Sequence, residues 1–436
     1  MWYKQGVIYQ IYPLGLCGAP ALQDDQEQPR ILRLKDWIPH LKKLGVKSIL
    51  FNPLWYSDAH GYDSRDLRKL DPRLGNNKDF EEICRLYREA GFRLIFDAVF
   101  NHVGRGFWAF QDVLERREQS AYKDWFYLDF QQNSPYNDGL SYAAWESHYN
   151  LVKLNLSNPE VRQYLFDTVR FWQEKFGVSG LRLDVAYCLD RDFLKALHYE
   201  TRAISDDFFL LGEIIHGDYK QIMNPEMCDS ATNYECAKGL VSAVNSHNLF
   251  EIGHSLLRQF DDKPWSLYKD NMQLLSFVDN HDISRLATAL HDPDQAKLVY
   301  GLMFAQPGIP ALYYGSEWGL TGNKTDGDGA LRPDIAEPEW NDLTSYLARL
   351  CTIRGSSRAL AEGEFRVLQL ANEHFIFERR AGTDRIIIAV NLSDHEVEAH
   401  FDAGAGRARE LISGSDHDFW GGSKLPAKSC QYWQPY

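Results

Sequence analysis

The sequence predicts an α/β fold: a closed (β/α)8 TIM barrel, a short domain inserted after its third strand, and a C-terminal all-β sandwich domain. Three observations predict it. Short apolar β-type runs alternate with amphipathic helical stretches through most of the chain, and strands this apolar belong to a parallel sheet buried on both faces. The alternation stops between Val103 and Lys153, where Trp, Tyr, Asn and Pro accumulate. After about Ala359 it gives way to short strands joined by turns. The division expected from this is a barrel (domain A) at 1–102 and 153–358, an insertion (domain B) at 103–152, and a β domain (domain C) at 359–436.

In chain order, 7–12 is an apolar, aromatic strand and 31–44 an amphipathic helix. A second strand at 48–52 precedes a helix at 79–90 that Gly91 closes, and a third strand runs over 93–100. Helices at 159–176, 192–204, 235–260, 294–304 and 341–353 then separate strands at 180–184, 209–212, 230–233, 272–278 and 311–314. Eight such units fit a closed barrel better than an open sheet. The insertion leaves the third strand at its C-terminal end, the face on which barrel active sites lie. Domain C is read from strands at 365–370, 374–378, 385–391 and 396–400.

Composition narrows the class. Of 436 residues, 44% are hydrophobic and 25% charged, which excludes a disordered, collagenous or disulfide-scaffold chain. With 47 Lys and Arg against 61 Asp and Glu, the formal charge is −14. Such a surface repels phosphate backbones and anionic membranes, so neither nucleic acid nor membrane is an expected partner. A neutral substrate is not repelled, and the 14% aromatic content suits a large core or a cleft that stacks on flat ligand faces. Seven cysteines are scattered without a C-x-x-C pair, which reads as free thiols in a reducing compartment. The N-terminus lacks a secretory signal and no apolar run reaches the ~18–20 residues of a membrane helix, so a cytoplasmic location is expected.

The chemistry stands at the strand ends. Strand three ends in Asp97-Ala98-Val99-Phe100-Asn101-His102, and strand four carries Gly180-Leu181-Arg182-Leu183-Asp184-Val185-Ala186. Strand five ends in Leu211-Gly212-Glu213-Ile214-Ile215-His216, and strand seven is followed by Phe277-Val278-Asp279-Asn280-His281-Asp282. Asp184, Glu213 and Asp282 would therefore converge at the barrel mouth with Arg182, His102 and His281. Charged groups beside apolar strands are costly to bury, so they must be paired or used.

These four segments, in order, resemble the four signature regions of the alpha-amylase family of glycoside hydrolases (family 13). Leu151-Val152-Lys153-Leu154-Asn155, Asp184-Val185-Ala186, Gly212-Glu213-Ile214-Ile215-His216 and His60-Gly61-Tyr62-Asp63 resemble motifs of its neopullulanase, cyclomaltodextrinase and maltogenic amylase subfamily. So do Phe110-Gln111-Asp112-Val113-Leu114 and Tyr122-Lys123-Asp124-Trp125-Phe126 in domain B. Three departures stand out. The subfamily's N-terminal, dimer-building β domain is not seen, which makes a monomer the expectation. Tyr187-Cys188 replaces Asn-Glu, and Ile215 replaces a Trp. The latter two flank the leaving-group side.

The resemblance implies retaining cleavage of α-1,4-glucosidic bonds in maltooligosaccharides or cyclomaltodextrins, with pullulan or starch as further candidates. It makes Asp184 the nucleophile, Glu213 the acid/base and Asp282 the third carboxylate. Arg182 would hold Asp184 ionised, His102 and His281 would bind hydroxyls, and Tyr62 would stack beneath the same sugar. Asp328 and Arg332 would bind the next sugar toward the non-reducing end, the alternative being a surface salt bridge. Phe107, Trp108, Tyr142 and Trp145 are candidate stacking walls or core of the insertion. Many relatives hold Ca²⁺ through the Asn at position 101 and an Asp where this chain has Lys153. An ammonium cannot be one of the about 6–8 oxygen ligands, so no metal and no cofactor are expected there. A transglycosylase of the same fold is the alternative activity. A carbohydrate-binding protein without catalysis is disfavoured because all three carboxylates stand in matching motifs, and a strict exo-α-glucosidase because Ala59 replaces an Asp.

Overall fold

A computed structural model describes residues 1–268 and 273–436. Eight parallel strands make the barrel: β1 (Ile8–Ile11), β2 (Ser48–Phe51), β3 (Arg93–Ala98), β4 (Gly180–Leu183), β5 (Phe209–Gly212), β6 (Ser230–Ala231), β7 (Leu275–Ser276) and β8 (Ile309–Tyr313). Their order is β6-β5-β4-β3-β2-β1-β8-β7, and a parallel bridge from Thr232 to Leu275 joins the two ends. The expected strands are all present; most are shorter than expected, the fifth has the expected bounds, and the eighth begins two residues earlier, at Ile309. Of the seventh, Met272 lies outside the described residues.

Side-chain alternation explains why the strands read as continuously apolar. Ile8, Leu50, Ile95, Phe209, Leu211, Leu275, Ile309 and Ala311 form one cluster inside the barrel. Their neighbours Tyr9, Ile49, Leu94, Leu210 and Leu312 belong to the larger core between sheet and helices. A period of two therefore sorts every strand into an inward and an outward set. The inward set turns polar at the C-terminal ends, where Ile8, Leu50, Ile95, Gly180 and Leu211 are followed two residues on by Gln10, Asn52, Asp97, Arg182 and Glu213. An apolar floor thus carries a polar layer, and that layer is the base of the site.

Helices begin and end where caps allow. Asn76 and Asp79 form a capping box on Asn77–Glu89. Asn158 caps Pro159–Phe176, which ends at left-handed Gly177. Two expectations are corrected. The helix expected over 31–44 begins as a 3-10 segment, Arg30–Trp37, and becomes α-helical over Ile38–Leu44, with Pro39 in the first turn where its missing N–H costs nothing. The helix expected over 235–260 is two, Tyr234–Ser246 and Phe250–Phe260, because His247 turns the chain at φ 52°.

After β3 the strand His102–Gly104 pairs with His148–Lys153, which pairs with Ala144–Trp145. The chain between them carries the helix Trp108–Arg116. At the C-terminus a six-stranded antiparallel sheet buries Ile376, Ile387, Ala389 and Trp433 on one face with Leu425 of a two-stranded ribbon. Its other face presents Phe375, Phe377, Ile388 and Tyr432 to the barrel. There the buried Arg379 donates to the carbonyls of Ala305 and Gly363.

Candidate functional site

A pocket of about 620 Å3 lies over the polar layer, and Asp184, Glu213, Asp282, Tyr62, His102 and Arg332 all line it. Arg182, 4% exposed, lies behind two of these carboxyls. Its Nη1 donates to both oxygens of Asp97 at 2.8 Å and to Asp184 Oδ1 at 3.0 Å. Its Nη2 stands 2.5 Å from Glu213 Oε1. One guanidinium therefore orients three buried carboxyls on three adjacent strands. Alternation dictates this: Arg182 and Asp184 are two apart and both face inward, while Asp97 lies opposite Arg182 in the β3–β4 register.

The chain turns sharply after Asp184. Val185 adopts φ 40° and ψ 47°, a left-handed conformation that costs a β-branched residue about 1–3 kcal/mol. The turn aims the Val185 N–H at Glu213 Oε2, 2.9 Å away. Burial pushes the acid pKa of both Asp184 and Glu213 up, with Arg182 opposing and the neighbouring carboxylates reinforcing the rise. The pair therefore titrates as a unit and retains a proton more readily than free carboxyls do.

Asp282 behaves oppositely. Although burial raises its pKa, His281 and then Arg332 and Arg182 hold it below the usual carboxylate range. His281 Nε2 is 3.0 Å from Asp282 Oδ2, and Arg332 Nη2 is 3.1 Å from Asp282 Oδ1. His281 is fixed from behind by Gln10 Nε2 at 3.0 Å, and Tyr62 hydrogen-bonds its Nε2. The Tyr62 ring lies parallel to that of His281, 5.7 Å away, and its hydroxyl donates to Asp97 at 3.0 Å. Arg332 also pairs with Asp328 at 3.1 Å, which Lys324 pairs from its other side. The Asp328–Arg332 bridge is thus part of the pocket wall. His102 is buried, its pKa pushed down to about 3 by burial and by His60 and His148, so it is neutral. Its Nε2, 3.9 Å from Asp184 Oδ2, has no hydrogen-bond partner among the described residues.

Of the four aromatic candidates in the insertion, only Trp145 lines the pocket. Phe107 and Tyr142 are buried in the insertion's own core, and Trp108 packs edge-on against Tyr122, Trp125 and Tyr164. Asp97 is the residue that sequence reasoning left without a role. Its signal was its position, first in the D-x-x-x-N-H segment and on the inward parity of β3. Asn52 and Gln10 were likewise passed over, being single polar residues in apolar strands. On the flank, Lys153 lies opposite His102 in the antiparallel register, and the buried Asn101 Oδ1 has no hydrogen-bond partner among the described residues. Among the described residues no group of three or more His, Cys, Asp or Glu side chains is placed to hold a metal ion, and the seven cysteines are free thiols. No helix among them is long and apolar enough to cross a membrane.

A barrel with these groups at its C-terminal mouth is the frame of a glycoside-cleaving enzyme. Residues 34–352 match the family described as alpha amylase, catalytic domain, and the chain belongs to the alpha-amylase family of α-glucan-acting glycosidases. It is similar to a cyclomaltodextrinase of Geobacillus thermopakistaniensis, 28% identical over 426 residues, covering 91% of this chain and 70% of that protein. Neopullulanase 2 of Thermoactinomyces vulgaris is 31% identical over 392 residues, covering 84% of this chain and 65% of that protein. The chain thus spans 65–70% of the length of these two relatives. A solved cyclomaltodextrinase structure superposes with a TM-score of 0.86 at 26% identity, covering 100% of this chain and 78% of that one. The family read from the strand-end motifs is thereby borne out.

Proposed function

We propose that the protein is a retaining glycoside hydrolase that cleaves α-1,4-glucosidic bonds in maltooligosaccharides and cyclomaltodextrins through a glycosyl-aspartate intermediate, with pullulan and starch as further substrates. The observation that carries the proposal is the single guanidinium of Arg182 holding Asp184 on one nitrogen and Glu213 on the other. Retaining enzymes keep their two carboxyls only about 5–5.5 Å apart, whereas inverting enzymes leave room for a water between them. Two carboxyls on one guanidinium support the closer arrangement.

Asp184 attacks the anomeric carbon while Glu213 protonates the departing oxygen. Positive charge developing at that carbon stabilises Asp184 as the anion, so the proton shared by the pair rests with Glu213. Asp282, kept ionised, stabilises the oxocarbenium-like transition state. The unpartnered His102 Nε2 and the ring of Tyr62 are available to the same sugar, and Asp328 with Arg332 to the next one. In the second half, Glu213 takes a proton from water as the water displaces Asp184 from C1. No step uses a cofactor. Lys153, opposite His102 in the strand pair, carries an ammonium where a calcium ion would need a carboxylate, so this flank is proposed to hold no metal. A monomer in the cytoplasm completes the proposal.

Product analysis after incubation with β-cyclodextrin and, in parallel, maltoheptaose tests the function, with Asp184→Asn as the blank. Ring opening to maltose and glucose, absent from the variant, is expected. An untouched ring with cleaved maltoheptaose would restrict the enzyme to linear chains, and products longer than the starting sugar would mark a transglycosylase. Activity surviving in the variant would show that Asp184 is not the nucleophile.

A further inference from the structure

A second cavity of about 760 Å3 opens beside the catalytic pocket, and Ile215, Tyr234 and Ile283 line both. It lies between the chain leaving β5 after Glu213, the helix Tyr234–Ser246 and the loop after β7. Its walls are mainly apolar: Val241, Val278, Ile283 and Ala289 form an aliphatic side, with Ile215, which is 44% exposed, at the junction, while Lys238, Ser242 and Ser284 stand among them. Two of its charged groups, Glu235 and Arg258, pair with each other. A glucosyl unit carries hydroxyls on nearly every carbon, and against the aliphatic side those donors and acceptors would be left unpaired, an expensive arrangement. A hydrocarbon group meets no such penalty and gains from leaving water.

Location decides which part of a substrate enters. A proton donor must reach the glycosidic oxygen, so the leaving group lies beyond Glu213, and Ile215 follows Glu213 by two residues. We propose that this cavity is an aglycone subsite for an apolar group, an alkyl or aryl moiety joined through oxygen to the anomeric carbon of an α-linked maltosyl unit. The inference rests on the proposed function above. In the cleavage, the bond from C1 to the alkoxy oxygen breaks, the alcohol departs with the proton of Glu213, and C1 becomes bonded to Asp184. Water then releases maltose and returns the proton to Glu213.

The test is kcat/KM for methyl, butyl, hexyl and octyl α-maltosides below their micelle concentrations, with maltotriose run alongside. The expected result is a rise of about three- to fourfold per added methylene until the cavity is filled, flattened in a Val241→Asp variant whose thermal unfolding matches wild type. A series that is flat or falls with chain length would overturn the proposal. Calorimetric titration of the methyl and octyl maltosides into Asp184→Asn reads the cavity without turnover. Tighter binding of the octyl compound supports the subsite, and equal affinity overturns it. Failure to cleave maltotriose counts against the proposed function alone.

Discussion

Arg182 and Glu213 form a buried ion pair across adjacent strands β4 and β5, with Nη2 2.5 Å from Oε1. Because Asp97 and Asp184 sit on the other nitrogen, one positive charge faces three buried carboxyls. Arg182 lowers the acid pKa of both Asp184 and Glu213 against the burial that raises them. Arg182→Gln removes that opposition, so both move further up and Asp184 becomes an anion only at higher pH. The acidic limb of the kcat/KM profile is expected to shift to higher pH, with the maximum reduced by about 100-fold or more. An unmoved acidic limb would contradict the pairing.

Asp184→Asn should stabilise the fold while abolishing activity. The folded-state pKa of Asp184 is raised by burial, so the folded protein binds its proton more tightly than the unfolded chain. Stability therefore falls as pH rises above the unfolded value of about 3.9. Asn carries no charge to bury. Thermal unfolding should place the variant above wild type at pH 7, with the gap narrowing toward pH 4.

His102 makes the opposite contribution. Its pKa is pushed down to about 3, chiefly by burial, so between about pH 6.5 and 3 the unfolded chain binds a proton that the folded protein does not. Wild type should lose about 1.4 kcal/mol per pH unit over that window from this group. His102→Gln cannot titrate, and its unfolding free energy is expected to fall less steeply between pH 6 and 4. Parallel slopes would show that His102 is charged in the fold.

Trp145 and Trp108 separate binding from packing. Trp145 lines the pocket and stacks on His148 at 5.4 Å, so Trp145→Ala should lower kcat/KM by about 2- to 10-fold, the worth of one aromatic contact, mainly through KM. Trp108 packs against aromatic neighbours of the insertion and its adjoining helix and does not line the pocket, so Trp108→Ala should destabilise by about 1–3 kcal/mol with KM unchanged. Chemical unfolding and steady-state kinetics on both variants decide it.

Chelation provides a fifth check. With Lys153 in place of a carboxylate ligand, dialysis against EDTA is expected to leave both kcat/KM and the unfolding midpoint unchanged, whereas loss of either, restored by Ca²⁺, would place a calcium ion on the protein.

Much of this was legible along the chain because alternation is local. A residue two positions beyond an inward-facing one also faces inward, so Arg182 with Asp184 and Leu211 with Glu213 could be placed on one face of their strands from sequence alone. The strand-end motifs likewise carried the family. Other features depended on residues far apart in sequence. Asp97 gains its meaning only because β3 lies beside β4, bringing it against a guanidinium 85 positions away. His247 breaks a helix whose apolar pattern ran on unbroken, and four similar aromatics in the insertion divide into one pocket wall and three packing residues. The cavity beyond Ile215 exists only where three separate segments meet. Period and motif set which way each side chain points; barrel closure, a long-range constraint, decided which of them meet and therefore where charge, proton and substrate can be held.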